Sequence, residues 1–259
     1  MRKILLGSFL SLAVLATPAL AAKCGNTGAG FEAWKKSFAA EAKANGVNAK
    51  AISALMGTSY ASATIRADRN QKSFKYTLAK FMAVRGADTI VAQGKRQKAA
   101  NSALFAKIEQ KYGVPAGPLI AIWGMETAFG RFTGSQNVLS ATATLAYDCR
   151  RTEFFEEQLY AMLKLVGSGR VSAAAKGAMH GELGQTQFMP KNVLLYGGGN
   201  LNGKEAALTA TARFLVGHGW QPGEGFQPGQ PNYGAIQGWN AAKVYQQAIA
   251  IMGKRIDGK

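Results

Sequence analysis

The chain has 259 residues, and its 31 lysines and arginines outweigh 14 aspartates and glutamates to give a formal charge of +17 at pH 7. With two cysteines, two histidines and no Asp-x-Asp run, a metal centre is poorly supported, so neither metal nor cofactor is expected. The length is enough for one large core or two small ones, and no repeat or low-complexity linker divides it.

Met1-Arg2-Lys3 precedes an apolar run from Ile4 to Leu20 that ends in Ala19-Leu20-Ala21 before Ala22. Basic head, short apolar core and small-residue cleavage site read as a secretory signal peptide over residues 1–21. Ser8, Ser11, Thr17 and Pro18 interrupt the run, which is short for a span of roughly 20 apolar residues. No other stretch could cross a bilayer, so no stable membrane insertion is expected after cleavage, and Lys23 argues against lipid attachment at Cys24. Residues 1–21 hold two of the 31 basic residues and none of the acids, so the mature chain carries +15. Such a charge suits a polyanionic partner; export makes nucleic acid the least suitable, and charge for solubility alone is the alternative. An even cysteine count in an exported chain suggests one disulfide, Cys24 to Cys149, with two unrelated buried thiols as the alternative.

Helical periodicity dominates from there. Phe31, Trp34, Phe38 and Ala42 form one stripe; Ile52, Leu55 and Met56 form another after the cap Asn48; Leu104, Phe105 and Ile108 mark a helix ending near Gly113. Val114-Pro115 opens the next, with proline suited to a first helical turn. Leu119, Ile120, Ile122, Trp123 and Met125 leave that helix almost no polar face, which predicts burial, with Glu126 at its inner end before Gly130. Phe154, Phe155, Leu159, Met162 and Leu163 mark another helix, and Leu208, Ala212, Leu215 and Val216 the one after it. Residues 221–238, rich in glycine, proline and glutamine, read as a loop leading to a last helix from about Asn240 to Lys254. Alternating strand patterns are scarce, so the fold class is mainly α.

No nucleophilic triad can be assembled, and His180 and His218, flanked by glycines, read as structural or surface residues. Carboxylates remain. Glu153, Glu156 and Glu157 share one helix as surface candidates; Glu126 and Glu182 alone sit in glycine-rich, apolar company. Burial penalises the anion more than the acid, so Glu126 would hold its proton to an unusually high pH, as a general acid must. A buried acid satisfied by backbone or arginine fits Glu126 nearly as well, and a hydrogen-bonded structural acid is the plainer reading of Glu182.

Trp123 to Thr127 with Phe129-Gly130, then Tyr147 to Arg151, Gly184 to Pro190, His218-Gly219-Trp220 and Gly238-Trp239-Asn240 follow one another in an order that resembles lytic transglycosylases of the membrane-bound B type. Ile65 to Gln71 is similar to that family's upstream signature, and the resemblance runs from about Phe31 to Ile256. It implies a lysozyme-like, goose-type helical core with little β structure, as one catalytic domain over residues 22–259. The implied reaction cuts the β-1,4 bond between N-acetylmuramic acid and N-acetylglucosamine in periplasmic peptidoglycan, leaving 1,6-anhydro ends. The family's catalytic glutamate falls on Glu126. Gln187, Asn240, Arg150, Arg151, Glu182 and Phe129 carry over as substrate contacts, peptidoglycan glycan strands as the partner, and wall-spanning machinery as a further possible one.

Three departures from the family stand out. The aspartate-rich Ca²⁺ loop of many relatives is replaced by Tyr196 to Gly203, which contains no acid. An insert that builds a small β-domain in some relatives is reduced to about residues 221–231. Ala178 and Phe214 stand where relatives carry a serine and a tyrosine. Two other functions are open to the same residues: a hydrolytic muramidase using Glu126 with Glu182, and a glycan-binding protein without turnover.

Overall fold

A computed structural model of the chain describes residues 23–70 and 76–258. The leader expected over residues 1–21, and Gln71 of the upstream motif, lie outside these. Among the described residues the architecture is thirteen α-helices with one two-residue antiparallel pairing, Gln136–Asn137 against Lys176–Gly177. No described helix is long and apolar enough to cross a membrane.

The first half runs α1 (Phe31–Ala44), α2 (Ala49–Met56), α3 (Ser62–Arg69), α4 (Leu78–Arg85), α5 (Ala87–Ala100) and α6 (Ser102–Tyr112). The stripe of α1 is buried as its spacing demands, and the Asn48 side chain caps α2 by accepting from the Ala51 N–H at 3.0 Å. α6 ends at Gly113, whose φ of +67° closes the helix in the left-handed region.

α7 (Ala116–Thr127) follows, and every residue in it except Glu126 is buried. Pro115 precedes the first turn as the cap, one residue earlier than its ring suggested. α7 packs on α5 and on α13 (Lys243–Asp257), and a Cβ at Gly117 would collide with the Gly253 carbonyl, so glycine is what permits that approach. Asp257 Oδ1 accepts from the Gly117 N–H at 3.0 Å and from Lys98 Nζ at 2.7 Å, which satisfies one free donor of the α7 N-terminus.

α8 (Val138–Tyr147) is nearly as enclosed as α7 and packs on α9 (Thr152–Gly167). α10 (Pro190–Tyr196) and α11 (Lys204–Gly217) lead to the glycine-rich segment. There the loop reading is corrected: Tyr233–Trp239 forms a short helix, α12. Its cause is tertiary. Asn232, fully buried, accepts from the Gln221 N–H at 2.6 Å and donates to the Gln221 and Glu224 carbonyls, folding residues 221–231 into a tight loop that delivers the chain to α12. The last helix begins at Lys243 rather than Asn240, because the Asn240 side chain accepts from the Ala242 N–H and forms a turn first.

Cys24 and Cys149 are disulfide-bonded, and the Gly25 N–H donates to the Tyr147 carbonyl at 2.9 Å, so the N-terminal segment is clamped to the end of α8. With the two cysteines 125 positions apart in sequence, the constraint on the unfolded chain is large. Cys24→Ser with Cys149→Ser is expected to lower unfolding free energy by about 2–5 kcal/mol in urea titration, with helical content retained.

Candidate active site

Glu126 is the last residue but one of α7, and the chain leaves that helix in an uncommon way. Ala128, Phe129 and Gly130 take φ values of +48°, +64° and +85° in succession, which turns the backbone sharply away from the core. Thr127 holds the turn: its hydroxyl donates to the Gln185 carbonyl at 2.6 Å and accepts from the Gly130 N–H at 2.9 Å. Gln185 in turn accepts from Trp123 Nε1 at 2.8 Å and donates to the Asn202 carbonyl at 2.6 Å. The helix end that carries Glu126 is thereby fastened to the Gly184–Pro190 segment.

A cleft of about 210 Å³ opens over Glu126, lined also by Glu182, Gln187, Phe188, Met189, Asn192, Phe214, Trp239 and Asn240. Glu126 Oε1 accepts two hydrogen bonds, from Trp239 Nε1 at 3.0 Å and from the Tyr245 hydroxyl at 2.6 Å. Among the described residues neither of these donors reaches Oε2, which leaves that oxygen for a group in the cleft. Trp239 is itself set by Phe188 and Phe214, which meet it edge-on at 5.2 and 5.0 Å between ring centres. Tyr245 lies against Phe81 of α4.

Burial is the largest influence on Glu126 and pushes its pKa up from 4.5 to about 7. The Tyr245 and Trp239 bonds oppose that, the Glu182 charge adds to it, and Arg85 opposes it. Burial and the neighbouring carboxylate also push the Tyr245 hydroxyl well above 10, so it remains a donor. Because the Tyr245 bond favours the anion, Tyr245→Phe is expected to raise the Glu126 midpoint further. The alkaline fall of the activity profile should move to higher pH with it; a shift toward acid would contradict this geometry.

Of the residues carried over by resemblance, Glu126, Gln187, Asn240 and Glu182 meet in this cleft, and three do not line it. Gln187 sits at a φ of +54° and donates to the Gly184 carbonyl at 2.8 Å and the Thr133 carbonyl at 3.3 Å. Asn240 lines the cleft, and its Oδ1 accepts from the Ala242 N–H at 2.9 Å. Phe129 folds back edge-on to Trp123, 5.3 Å between centres. Arg150 and Arg151 both grip the buried carboxylate of Asp68, while Asp148 takes Arg69 at 2.6 Å. His218 stacks on Phe214 at 3.9 Å, a structural place, whereas His180 lies 3.3 Å from Glu182. In the sequence Trp239 stands only as part of a motif and Tyr245 carries no signal beyond its place on the apolar face of the last helix.

Among the described residues no group of three or more His, Cys, Asp or Glu side chains could hold a metal ion. The acid-free loop after α10 is pinned by Arg170, which donates to the Val193 and Gly197 carbonyls at 3.0 and 2.9 Å.

Residues 30–229 match the family profile of the transglycosylase SLT domain. The chain belongs to that family. Over 139 residues it is 33% identical to the membrane-bound lytic murein transglycosylase B of Escherichia coli (strain K12), a match covering 48% of this chain and 38% of that relative's length. SltB3 from Pseudomonas aeruginosa, solved in complex with NAG-anhNAM-pentapeptide, superimposes with a TM-score of 0.80 at 26% identity, covering 88% of this chain and 80% of that one. The Escherichia coli lytic transglycosylase Slt35 in complex with bulgecin A shares the fold, with a TM-score of 0.75 at 20% identity over 86% of this chain and 92% of that one. The helical core is therefore the lysozyme-like fold of these transglycosylases, and the Glu126 carboxyl near the end of α7 lies within the matched SLT domain.

Proposed function

We propose that this chain is a peptidoglycan lytic transglycosylase, exported to the periplasm, with residues 22–259 as its single catalytic domain. It cuts the β-1,4 bond between N-acetylmuramic acid and N-acetylglucosamine without water, leaving 1,6-anhydromuramoyl ends. The observation that carries this reading is a single carboxyl, Glu126, poised near pH 7 with one oxygen anchored and the other open to the cleft.

The chemistry follows from that asymmetry. Trp239 and Tyr245 hold Oε1, so Oε2 handles the proton. Protonated Glu126 gives it to the glycosidic oxygen as the bond to muramoyl C1 breaks, and the glucosamine leaves as an alcohol. Positive charge spreads over C1 and the ring oxygen. Glu126, now an anion, takes the proton of the same sugar's C6 hydroxyl as O6 bonds to C1. The acid is regenerated and no water is consumed. A group with a pKa near the working pH serves both halves. Gln187 and Asn240 stand in the cleft as sugar contacts. Stem peptides carry carboxylates, and the cationic chain is drawn to them with an attraction that salt weakens.

A hydrolytic muramidase would need Glu182 as the second carboxylate, but both of its oxygens are engaged by His180. Product and substrate pieces bound by SltB3, NAG-anhNAM-pentapeptide and NAG-NAM-pentapeptide, support the anhydro route for this relative of it. A glycan strand whose muramoyl C6 hydroxyl is replaced by hydrogen tests the proposal. Such a strand is expected to bind and stay intact, since the nucleophile is missing; its cleavage to reducing ends would overturn the reading.

A further inference from the structure

Glu182 shares the cleft with Glu126, yet its carboxylate is tethered by the residue two before it. The His180 backbone N–H donates to Glu182 Oε2 at 2.9 Å, and the ring Nδ1 lies 3.3 Å from Oε1. Gly181, at a φ of +92°, makes that tight turn possible, and a side chain there would run into the Thr142 hydroxyl. On the other side of the imidazole, Nε2 is 3.8 Å from Asp68 Oδ1. Asp68 is only 2% exposed in its side chain and is gripped by Arg150 and Arg151. An imidazole therefore stands between two carboxylates, one in the cleft and one anchored in the arginine cluster.

We propose that His180, set between Asp68 and Glu182, fixes the Glu182 carboxyl in the cleft, making Glu182 a positioning residue that governs when Glu126 gives and takes its proton. The inference rests on the role of Glu126 proposed above. The groups that act on Glu126 come from four places: Tyr245 from α13, Trp239 from the end of α12, Arg85 from α4, and Glu182 from the segment before α10. The first three favour the Glu126 anion; Glu182 alone among them opposes it. Burial would push Glu182 up as well, but the hydrogen bonds and charge of His180 outweigh that and hold it below the ordinary carboxylate range. Two neighbouring carboxyls are thus driven apart, one holding its proton and the other giving it up.

The test is a titration of the Glu126 side-chain carboxyl by carbon NMR in the full chain, alongside the pH profile of activity on sacculi. Glu182→Gln keeps the shape and an acceptor for the His180 N–H, so it is expected to fold. Its Glu126 midpoint should move toward acid by about one pH unit, the scale of one neighbouring charge in a half-buried cleft, and the alkaline limb of activity should move with it. Glu182→Ala should give the same shift. His180→Ala should alter the Glu126 titration in the wild-type background and leave it unchanged in the Glu182→Gln background, because His180 acts through Glu182. An unmoved midpoint in both folded Glu182 variants overturns the proposal, as does a His180→Ala effect that persists undiminished without Glu182. If the midpoints shift as expected while the wild type releases no anhydro ends, the positioning role of Glu182 stands and the assigned reaction falls.

Discussion

Replacing Glu126 with glutamine is expected to lower peptidoglycan cleavage about a thousandfold or more while making the folded protein more stable above pH 7. The loss follows from chemistry: the amide matches the carboxyl in size and can still accept from Trp239 and Tyr245, but it has no acidic proton to give. Glycan binding should therefore persist. The gain in stability follows from linkage. Glu126 titrates near 7 in the folded protein against an ordinary 4.5, so the folded state holds a proton that the unfolded chain has already lost. Below pH 4.5 both states are protonated and the group costs nothing. As pH rises from 4.5 to 7 the native state is progressively penalised, reaching a plateau of roughly 3 kcal/mol above pH 7. Glutamine removes that penalty. Thermal melting of the two proteins should coincide near pH 4 and separate in favour of the variant above pH 7; separation in the opposite direction would mean that the Glu126 anion is stabilised, and the proton-donor account would fail.

The double substitution Arg150→Ala with Arg151→Ala should act on stability before it acts on sugar recognition. Asp68 has 2% of its side chain exposed, whereas the two arginines are 45% and 39% exposed. Removing the arginines leaves a buried carboxylate with His180 as its remaining ion-pair partner among the described residues, a loss of about 3 kcal/mol, which for a domain of this size is a melting temperature lower by roughly 8 °C. Asp68→Ala should cost less, since half-exposed arginines can turn to water. That inequality separates a structural ion cluster from a pair of free substrate contacts: if the arginine variant melted with the wild type and lost only activity, the cluster would not hold this corner of the fold.

Glu126 was legible because local sequence made it so: apolar residues on every side of one carboxylate, in a stretch too apolar to lie anywhere but the core. Asn48 and Gly113 marked helix ends for equally local reasons. The partners of Glu126 were not legible, since Trp239 and Tyr245 stand 113 and 119 residues away and a tyrosine on a helix's apolar face looks like ordinary core. His180 and Glu182 could be seen as neighbours, but Asp68 could not be joined to them, and without it Arg150 and Arg151 read as substrate contacts or as ion pairs with acids near in sequence such as Asp148 or Glu153. α12 was missed because its glycine-rich sequence has little helical preference and is organised from outside by the buried Asn232. α4 and α5 carry few buried residues, so their apolar stripes are thin. What sequence conceals here is long-range pairing of polar groups, whereas apolar periodicity and caps are written locally.

In the proposed reaction one carboxyl serves as acid and base while the substrate supplies its own nucleophile. Digestion of purified sacculi in heavy-oxygen water, followed by mass spectrometry of the released muropeptides, tests it most directly. Anhydro-muropeptides with no heavy oxygen incorporated are expected; products heavier by one water, carrying the label at the new muramoyl end, would mean that water and not the C6 hydroxyl is the nucleophile.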